Sequence, residues 1–267
     1  SKVSYSTGEQ AFRIAREYRI FVPYEDYPPL LIQGFLAAED QRFFEHKGVD
    51  GLSLTRAMLQ NLRNINSDAR AVGASTITQQ VAKARVGSAR TIDRKLREAI
   101  YAAKMEQNLT KEQIMEIYLN EVFFGVNTYG VAAATERYFA KTVDQLKISE
   151  IAFLASLPKG PVNYHPIRRP EAAKTRRDWV IDRMVAINAI TQIDADAAKL
   201  DPLPQAIYYG LKGAPKSYFD IEAQSELVRR FGNEVAYKGG LDVLSTVDPQ
   251  LQGLAEFALQ KHLLELD

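Results

Sequence analysis

From about residue 30 to residue 190, apolar side chains return every three to four positions, in runs as long as ordinary helices. That period gathers them on one face of a helix and scatters them over both faces of a strand. The clearest run is 91–108, where Ile92, Leu96, Ala99, Ile100 and Ala103 form a predicted apolar stripe. Most of the chain is therefore expected to fold as packed helices. The punctuation agrees. Pro28-Pro29 precedes a predicted helix over 30–44 with Ile32, Phe35, Leu36 and Phe43 inward, and Pro is favoured at a helix start. Further helices are predicted over 53–65 and 75–86, separated by a polar loop at 65–70. Thr110–Gln113 spells a capping box that opens a helix running to Asn120. Beyond the Gly-punctuated loop Phe123–Gly130, helices are expected at about 131–140, 149–157 (Ser149 as N-cap) and 171–190.

After residue 200 the character changes. Asp201-Pro202-Leu203-Pro204 breaks the helical run, and Gly210, Gly213 and Pro215 follow. A helix at about 217–231, a strand at 241–246 and a helix from Pro249 read as a tail too short to bury its own core. The expected division is a helical domain over 1–200 and a linker over 201–267 that begins a second region.

Composition removes several functions. Lys+Arg 34 against Asp+Glu 33 leaves a net charge of +1, so bulk charge points to no nucleic-acid partner. Anion binding must come from local clusters such as the Lys/Arg density between Lys83 and Arg97. Cys is 0, which excludes disulfides, thiolate metal sites and Cys nucleophiles. The three His residues, His46, His165 and His262, are scattered with no H-E-x-x-H, so no zinc site is expected. A hard cation bridging an anionic substrate to one carboxylate stays open. No apolar run reaches the roughly 20 residues that span a bilayer. The start at Ser1, with no Met, reads as a trimmed start whose anchor lies outside the chain.

Two carboxylates sit in polar clusters that a core would not choose. Glu39 opens Glu39–Gly48 and falls near the middle of the apolar stripe of its helix. It is either a partly desolvated acid in a cleft or an end-of-helix Glu paired with Arg42 or Arg56. Ser75, Gln79 and Lys83 follow at i, i+4, i+8, a row suited to ligand hydroxyls and phosphates or an ordinary solvated face. Glu98 lies i+4 from Arg94 and i+3 from Lys95. As an exposed helix pair, that contact contributes about 0.3–0.5 kcal/mol. Ser156-Leu157-Pro158-Lys159 matches S-x-x-K, but Pro158 interrupts the helix that pattern needs and no K-T-G exists, so Ser156 is rejected as a nucleophile.

In order along the chain, these segments resemble the family 51 peptidoglycan glycosyltransferases, the transglycosylase module of class A, bifunctional penicillin-binding proteins. Glu39–Gly48 is similar to E-D-x-x-F-x-x-H-x-G and Gly73–Lys83 to G-x-S-T-I-x-Q-Q-x-x-K. Arg94–Glu98 is similar to R-K-x-x-E and Ile114–Asn120 to I-x-E-x-Y-L-N; Leu157-Pro158-Lys159 and Arg176-Arg177 continue the pattern. Gly239-Gly240-Leu241 and Thr246–Gln252 resemble the linker into a transpeptidase domain. One departure stands out: Ala84–Arg90 is shorter and more polar than the leucine-rich stretch expected of relatives, so an apolar membrane contact is not carried over there.

The resemblance implies a mainly α, lysozyme-like fold with a smaller mobile, membrane-proximal lobe and a short α/β linker. It implies polymerisation of lipid II by inverting β-1,4 glycosyl transfer, with release of undecaprenyl pyrophosphate, in cell-wall biogenesis. Glu39 would be the general base. Glu98 would sit near the donor pyrophosphate, through neighbouring cations or a divalent Mg2+ or Mn2+, with no organic cofactor. Lys83, Arg94, Lys95 and Lys159 would hold phosphate oxygens, Arg90 would be a further substrate-binding residue, and Ser75, Thr76, Gln79 and Asn120 would orient sugar or phosphate groups. Asp40, Phe43 and His46 would support Glu39. The implied partners are lipid II, the growing glycan strand, the bacterial inner membrane on its periplasmic side, and cell-wall synthesis proteins. Leu52, Leu54, Met58, Leu59 and Leu62 are candidates for an apolar approach surface, about half of them expected in the core instead. A lysozyme-like glycan-cleaving enzyme and a non-catalytic glycan-binding module are the alternatives.

Overall fold

The computed structural model describes residues 1–13, 19–63, 75–86, 91–208 and 218–264. Arg90, the 65–72 loop and the Gly210–Pro215 stretch lie outside the described residues. The chain divides into two compact units, one formed by 19–207 and the other by 1–18 with 208–267.

The larger unit is helical: α1 (Pro29–Glu39), α2 (Gly51–Arg63), α3 (Ile77–Val86), α4 (Ile92–Asn108), α5 (Lys111–Glu121), α6 (Val131–Phe139), α7 (Ile148–Ser156), α8 (Pro170–Ala186) and α9 (Gln192–Leu200). Its core gathers Leu31 and Phe35 of α1, Ile77 of α3, Ile114, Met115 and Leu119 of α5, Leu154 of α7 and Val180, Ile181 and Met184 of α8. Burying each such side chain contributes about 1.5–3 kcal/mol. Helix α1 packs on both α7 and α8, which also pack on each other, while α3 packs on α4 and α5.

Several boundaries differ from the sequence expectation, each for a local reason. Helix α1 stops at Glu39, five residues before the predicted end. Asp40 leaves the helix (φ −161°), and its carboxylate accepts from the backbone N–H of Ile77, 3.0 Å away. Helix α3 starts at Ile77, two residues late, because Thr76 caps it: Thr76 Oγ1 accepts from Gln79 N and Gln79 Oε1 accepts from Thr76 N. Ser75 therefore precedes the helix. Helix α7 begins at Ile148, and Ser149, expected as its cap, is buried with its hydroxyl donating to Asp201. The run predicted over 171–190 ends at Ala186. Asn188 turns the chain at φ 59°, and Thr191 caps a second helix, α9, that was not anticipated. Ser156 is fully buried and donates to Phe153 O, an idle hydroxyl for nucleophilic work.

Helix α4 overturns the clearest pattern in the sequence. Leu96 and Ile100, placed inward by periodicity, are 61% and 57% exposed, while Glu98 and Ala102 on the opposite face are buried. That face packs on α3, and Gly48 approaches the Ala102 backbone so closely that a Cβ would lie 3.0 Å from its carbonyl carbon.

The smaller unit holds β1 (Lys2–Ser4), β2 (Gln10–Arg13), α10 (Tyr218–Lys238, broken at Gly232), β3 (Asp242–Leu244) and α11 (Pro249–Leu264). Its sheet order is β2-β1-β3, with β1 antiparallel to β2 and parallel to β3 in the register Lys2↔Asp242. The tail was read as lacking a core of its own. It gains one by pairing with the first residues of the chain: Val3 and Phe12 bury against Leu227 and Ala236.

Gly34 sets the approach of α1 to α7, because a Cβ there would lie 2.6 Å from Ile151 Cγ2 and near Met184. Gly34→Ala gains about 1 kcal/mol of helix propensity. Overpacking a well-filled core costs about 1–3 kcal/mol, and at 2.6 Å the clash wins. The urea midpoint of unfolding is expected to fall; an unchanged or raised midpoint would contradict this packing.

Candidate active site

The site is assembled around the C-terminal end of α1. Glu39 is the last helical residue, partly buried, and its Oε2 accepts a 2.7 Å hydrogen bond from Gln80 Nε2 of α3. Burial raises its pKa above the ordinary carboxylate range. The Gln80 bond and the charges of Arg176 and Lys159 oppose that shift, and neighbouring Asp40 adds to it. A carboxylate so placed holds its proton more readily than one in water, which suits a general base. The competing reading, a helix-end pair with Arg42, fails: Arg42 pairs with Glu45 at 2.6 Å and Asp50 at 3.2 Å.

Asp40, Phe43 and His46 lie beneath Glu39. Asp40 is buried, with Oδ2 accepting from Ile77 N and standing 2.9 Å from His46 Nε2. Phe43 meets the His46 ring edge-on, and the Lys111 ammonium lies 4.4 Å from the Phe43 ring centre while donating to His46 O and Glu106. Their polar atoms face inward and hold the α1–α3 junction. Thr76 belongs with them, since its buried hydroxyl donates to Gly48 O at 2.6 Å.

Glu98 is the second charge centre. It is 1% exposed; its Oε1 accepts from Arg94, and its Oε2 lies 2.7 Å from Lys95 Nζ. The exposed helix pair expected from the spacing is thus a buried acid neutralised by two cations. Desolvation and the nearby charges of Arg94 and Lys83 lower the Lys95 pKa. Lys83, Arg94 and Lys95 therefore share one neighbourhood with a single buried carboxylate, leaving a net positive patch. Ser75 faces it, with Lys95 Nζ 3.4 Å from its hydroxyl. Helix α3 joins the two centres, giving Gln80 to Glu39 and Lys83 to the cationic patch.

Asn120, expected to orient substrate, is committed elsewhere. Its Oδ1 accepts from Val22 N and Tyr27 Oη, and its Nδ2 donates to Val22 O and Glu116 O. It latches the extended segment before α1 onto α5. Conversely, Gln80 and Arg176 stand beside Glu39 without having been singled out. The Gln79-Gln80 doublet was the available signal, but the i, i+4, i+8 row took Gln79 with Ser75 and Lys83 and left Gln80 out. Gln79 instead caps α3. Arg176 is buried and stacks on Trp179, 3.9 Å from guanidinium carbon to ring centre. Lys159 is exposed in the turn that follows α7. On α2, Leu52, Leu54, Met58 and Leu59 are all exposed, whereas half of the candidate apolar surface was expected in the core. The Leu62 side chain lies outside the described residues.

For a protein-held metal the residues present do not fit. No group of three His, Cys, Asp or Glu side chains among the described residues could hold an ion. Both oxygens of Glu98 already face cations.

A helical unit that presents one hydrogen-bonded acid and one cationic patch matches a glycan-processing class, and comparison with known proteins makes this specific. The Transglycosylase family model matches residues 7–185. The chain belongs to that family, the peptidoglycan glycosyltransferases of lysozyme-like helical fold. It is 41% identical over 262 residues to penicillin-binding protein 1A of Rickettsia felis, covering 97% of this chain and 33% of that protein. It is 38% identical over 266 residues to penicillin-binding protein 1A of Escherichia coli, covering 97% of this chain and 30% of that protein. The crystal structure of penicillin-binding protein 1A from Haemophilus influenzae aligns with a TM-score of 0.52 at 26% identity, over 96% of this chain and 28% of that one. The chain thus spans about a third of the length of the curated relatives it matches.

Two outcomes follow from this geometry. Because burial raises the Glu39 pKa, the folded chain binds that proton more tightly than the unfolded chain does. Glu39 therefore supports stability most fully below its unfolded pKa, and stability is lost as pH rises through the folded value. Glu39→Gln is expected to raise the melting temperature at pH 7, with the gain fading as pH falls through the folded pKa and gone below about 4.5. Melting curves across pH check this. Swapping EDTA for Mg2+ is expected to leave the melting temperature of the substrate-free chain unchanged, since neither acid offers a free chelating pair.

Proposed function

We propose that this chain polymerises lipid II into glycan strands, with Glu39 as the general base. The observation that carries the proposal is the Glu39 carboxylate: partly buried, raised in pKa, fixed by Gln80 and flanked by Lys159 and Arg176. In an inverting transfer, the acceptor hydroxyl gives its proton to Glu39 as its oxygen attacks the anomeric carbon of the donor. The bond from that carbon to the pyrophosphate oxygen breaks on the opposite side. An α-linked donor yields a β-1,4 bond and undecaprenyl pyrophosphate departs.

Charge develops on the leaving pyrophosphate. Lys83, Arg94, Lys95 and Lys159 are the side chains placed to neutralise it, and Glu98 keeps the Arg94–Lys95 pair from repelling itself apart. Ser75 and Gln79 are the remaining polar groups for sugar or phosphate contacts. The exposed leucines and Met58 of α2 support an apolar approach for the lipid tail. Among the described residues no helix is long and apolar enough to cross a membrane. We place the catalytic unit at the periplasmic face of the inner membrane, where this substrate is presented and where cell-wall synthesis proteins are its partners.

The test is incubation with fluorescent lipid II in detergent, with products separated by gel. Lysozyme-sensitive polymer is expected from the wild-type chain. Glu39→Gln should reduce the rate by about 10²–10⁴, the span for removing a general base, while lipid II binding persists. Full activity in Glu39→Gln would sink the base assignment. Cleavage of preformed glycan without any need for the lipid pyrophosphate would identify a hydrolase instead.

A further inference from the structure

Tyr118 of α5 packs against Phe35, one turn before the proposed base on α1, and has no part in the chemistry above. It is 2% exposed, its ring set edge-on to Phe35 of α1 at 6.1 Å, and its hydroxyl has no hydrogen-bond partner among the described residues. Phenylalanine would fill the same volume without desolvating a hydroxyl, so packing alone does not account for tyrosine here. The charges acting on that hydroxyl belong to Glu39 first and then to Asp40. Both oxygens of Asp40 are engaged, Oδ2 by Ile77 N and His46 and Oδ1 by His46. Glu39, held by Gln80 through Oε2, is the carboxylate left to accept from Tyr118.

We propose that Tyr118 is a positioning residue for Glu39: a turn of the Glu39 side chain lets the hydroxyl donate to its carboxylate from the protein interior, which leaves the opposite edge facing the acceptor sugar. Burial and the two carboxylates push the Tyr118 pKa well above its ordinary value, so the hydroxyl keeps its proton and acts only as a donor. The groups facing Glu39 are then Gln80 from α3, Tyr118 from α5, Arg176 from α8, Lys159 after α7, and Asp40 beside it. A donor favours the ionised carboxylate. Tyr118→Phe removes it and shifts the Glu39 pKa upward.

The inference rests on the functional reading above, and its test separates the two. The Glu39 side-chain carboxyl is titrated by NMR in 13C-labelled chain without substrate, the signal being assigned by its loss in Glu39→Gln. In Tyr118→Phe the Glu39 pKa is expected to rise by about one unit, the scale of a lost hydrogen bond to a charged acceptor. The melting temperature should hold or increase. With lipid II, the acid limb of kcat should move to higher pH by the same amount while KM stays constant. A Glu39 titration that superimposes on wild type, or moves down, overturns the role of Tyr118 whatever the melting temperature. Failure of the wild-type chain to polymerise lipid II overturns the functional reading alone, because the titration needs no substrate.

Discussion

The site depends on the three bonds made by the Asp40 carboxylate. Accepting from the backbone N–H of Ile77 and standing against His46, it ends α1 one residue after Glu39 and pins the first turn of α3 to that end. An acid buried to this degree is stable only when its lone pairs are met by donors, and here the donors come from an adjacent turn and from a helix start. One consequence is geometric: Glu39 sits at a helix terminus with its side chain free of the helical stack, and Gln80, one turn into α3, arrives at its carboxylate. The residue that does not react therefore decides where the proposed base stands.

The same helix relates the two charge centres. Helix α3 offers an amide to Glu39 and an ammonium to the patch around Glu98, so displacing it would disturb both. Its N-terminus is secured three ways: Thr76 bonds to Gly48, Gln79 closes the capping box, and Asp40 takes the Ile77 N–H. Around Glu98 the balance differs. A fully desolvated carboxylate is costly unless its partners are well placed, and Arg94 and Lys95 compensate it while leaving positive charge in excess. An arrangement of that kind favours an incoming dianion over any neutral ligand.

Much of this was legible in the residues. Helical class, most elements and the capping box at Thr110 follow from periodicity and local signals, and the ordered motifs brought Glu39, Glu98 and the cations together before any coordinates. The failures share one cause, which is that tertiary partners override local pattern. On α4 the apolar stripe of Leu96 and Ile100 faces outward because the opposite face, with Glu98 and Ala102, is the one that packs on α3 and meets Gly48. Asn120 reads as a ligand-binding amide, yet three of its four hydrogen bonds reach Val22 and Tyr27, more than ninety residues away, and the fourth goes to Glu116 O in its own helix. Tyr118 falls within the Ile114–Asn120 motif, but the motif gives its hydroxyl no task; only the unmet hydrogen bond in the structure singles it out.

The parallel pairing of β1 with β3 bears on how the chain comes together in time. Lys2 pairs with Asp242, and Ser1 bonds to Leu241, a separation of 240 positions. During synthesis the helical unit, whose neighbours are mostly close in sequence, can collapse as soon as it emerges. The first strands must wait for the last ones, and loop closure over so long a span is slow. The small unit draws on both ends of this sequence, and it is the last part of it to close.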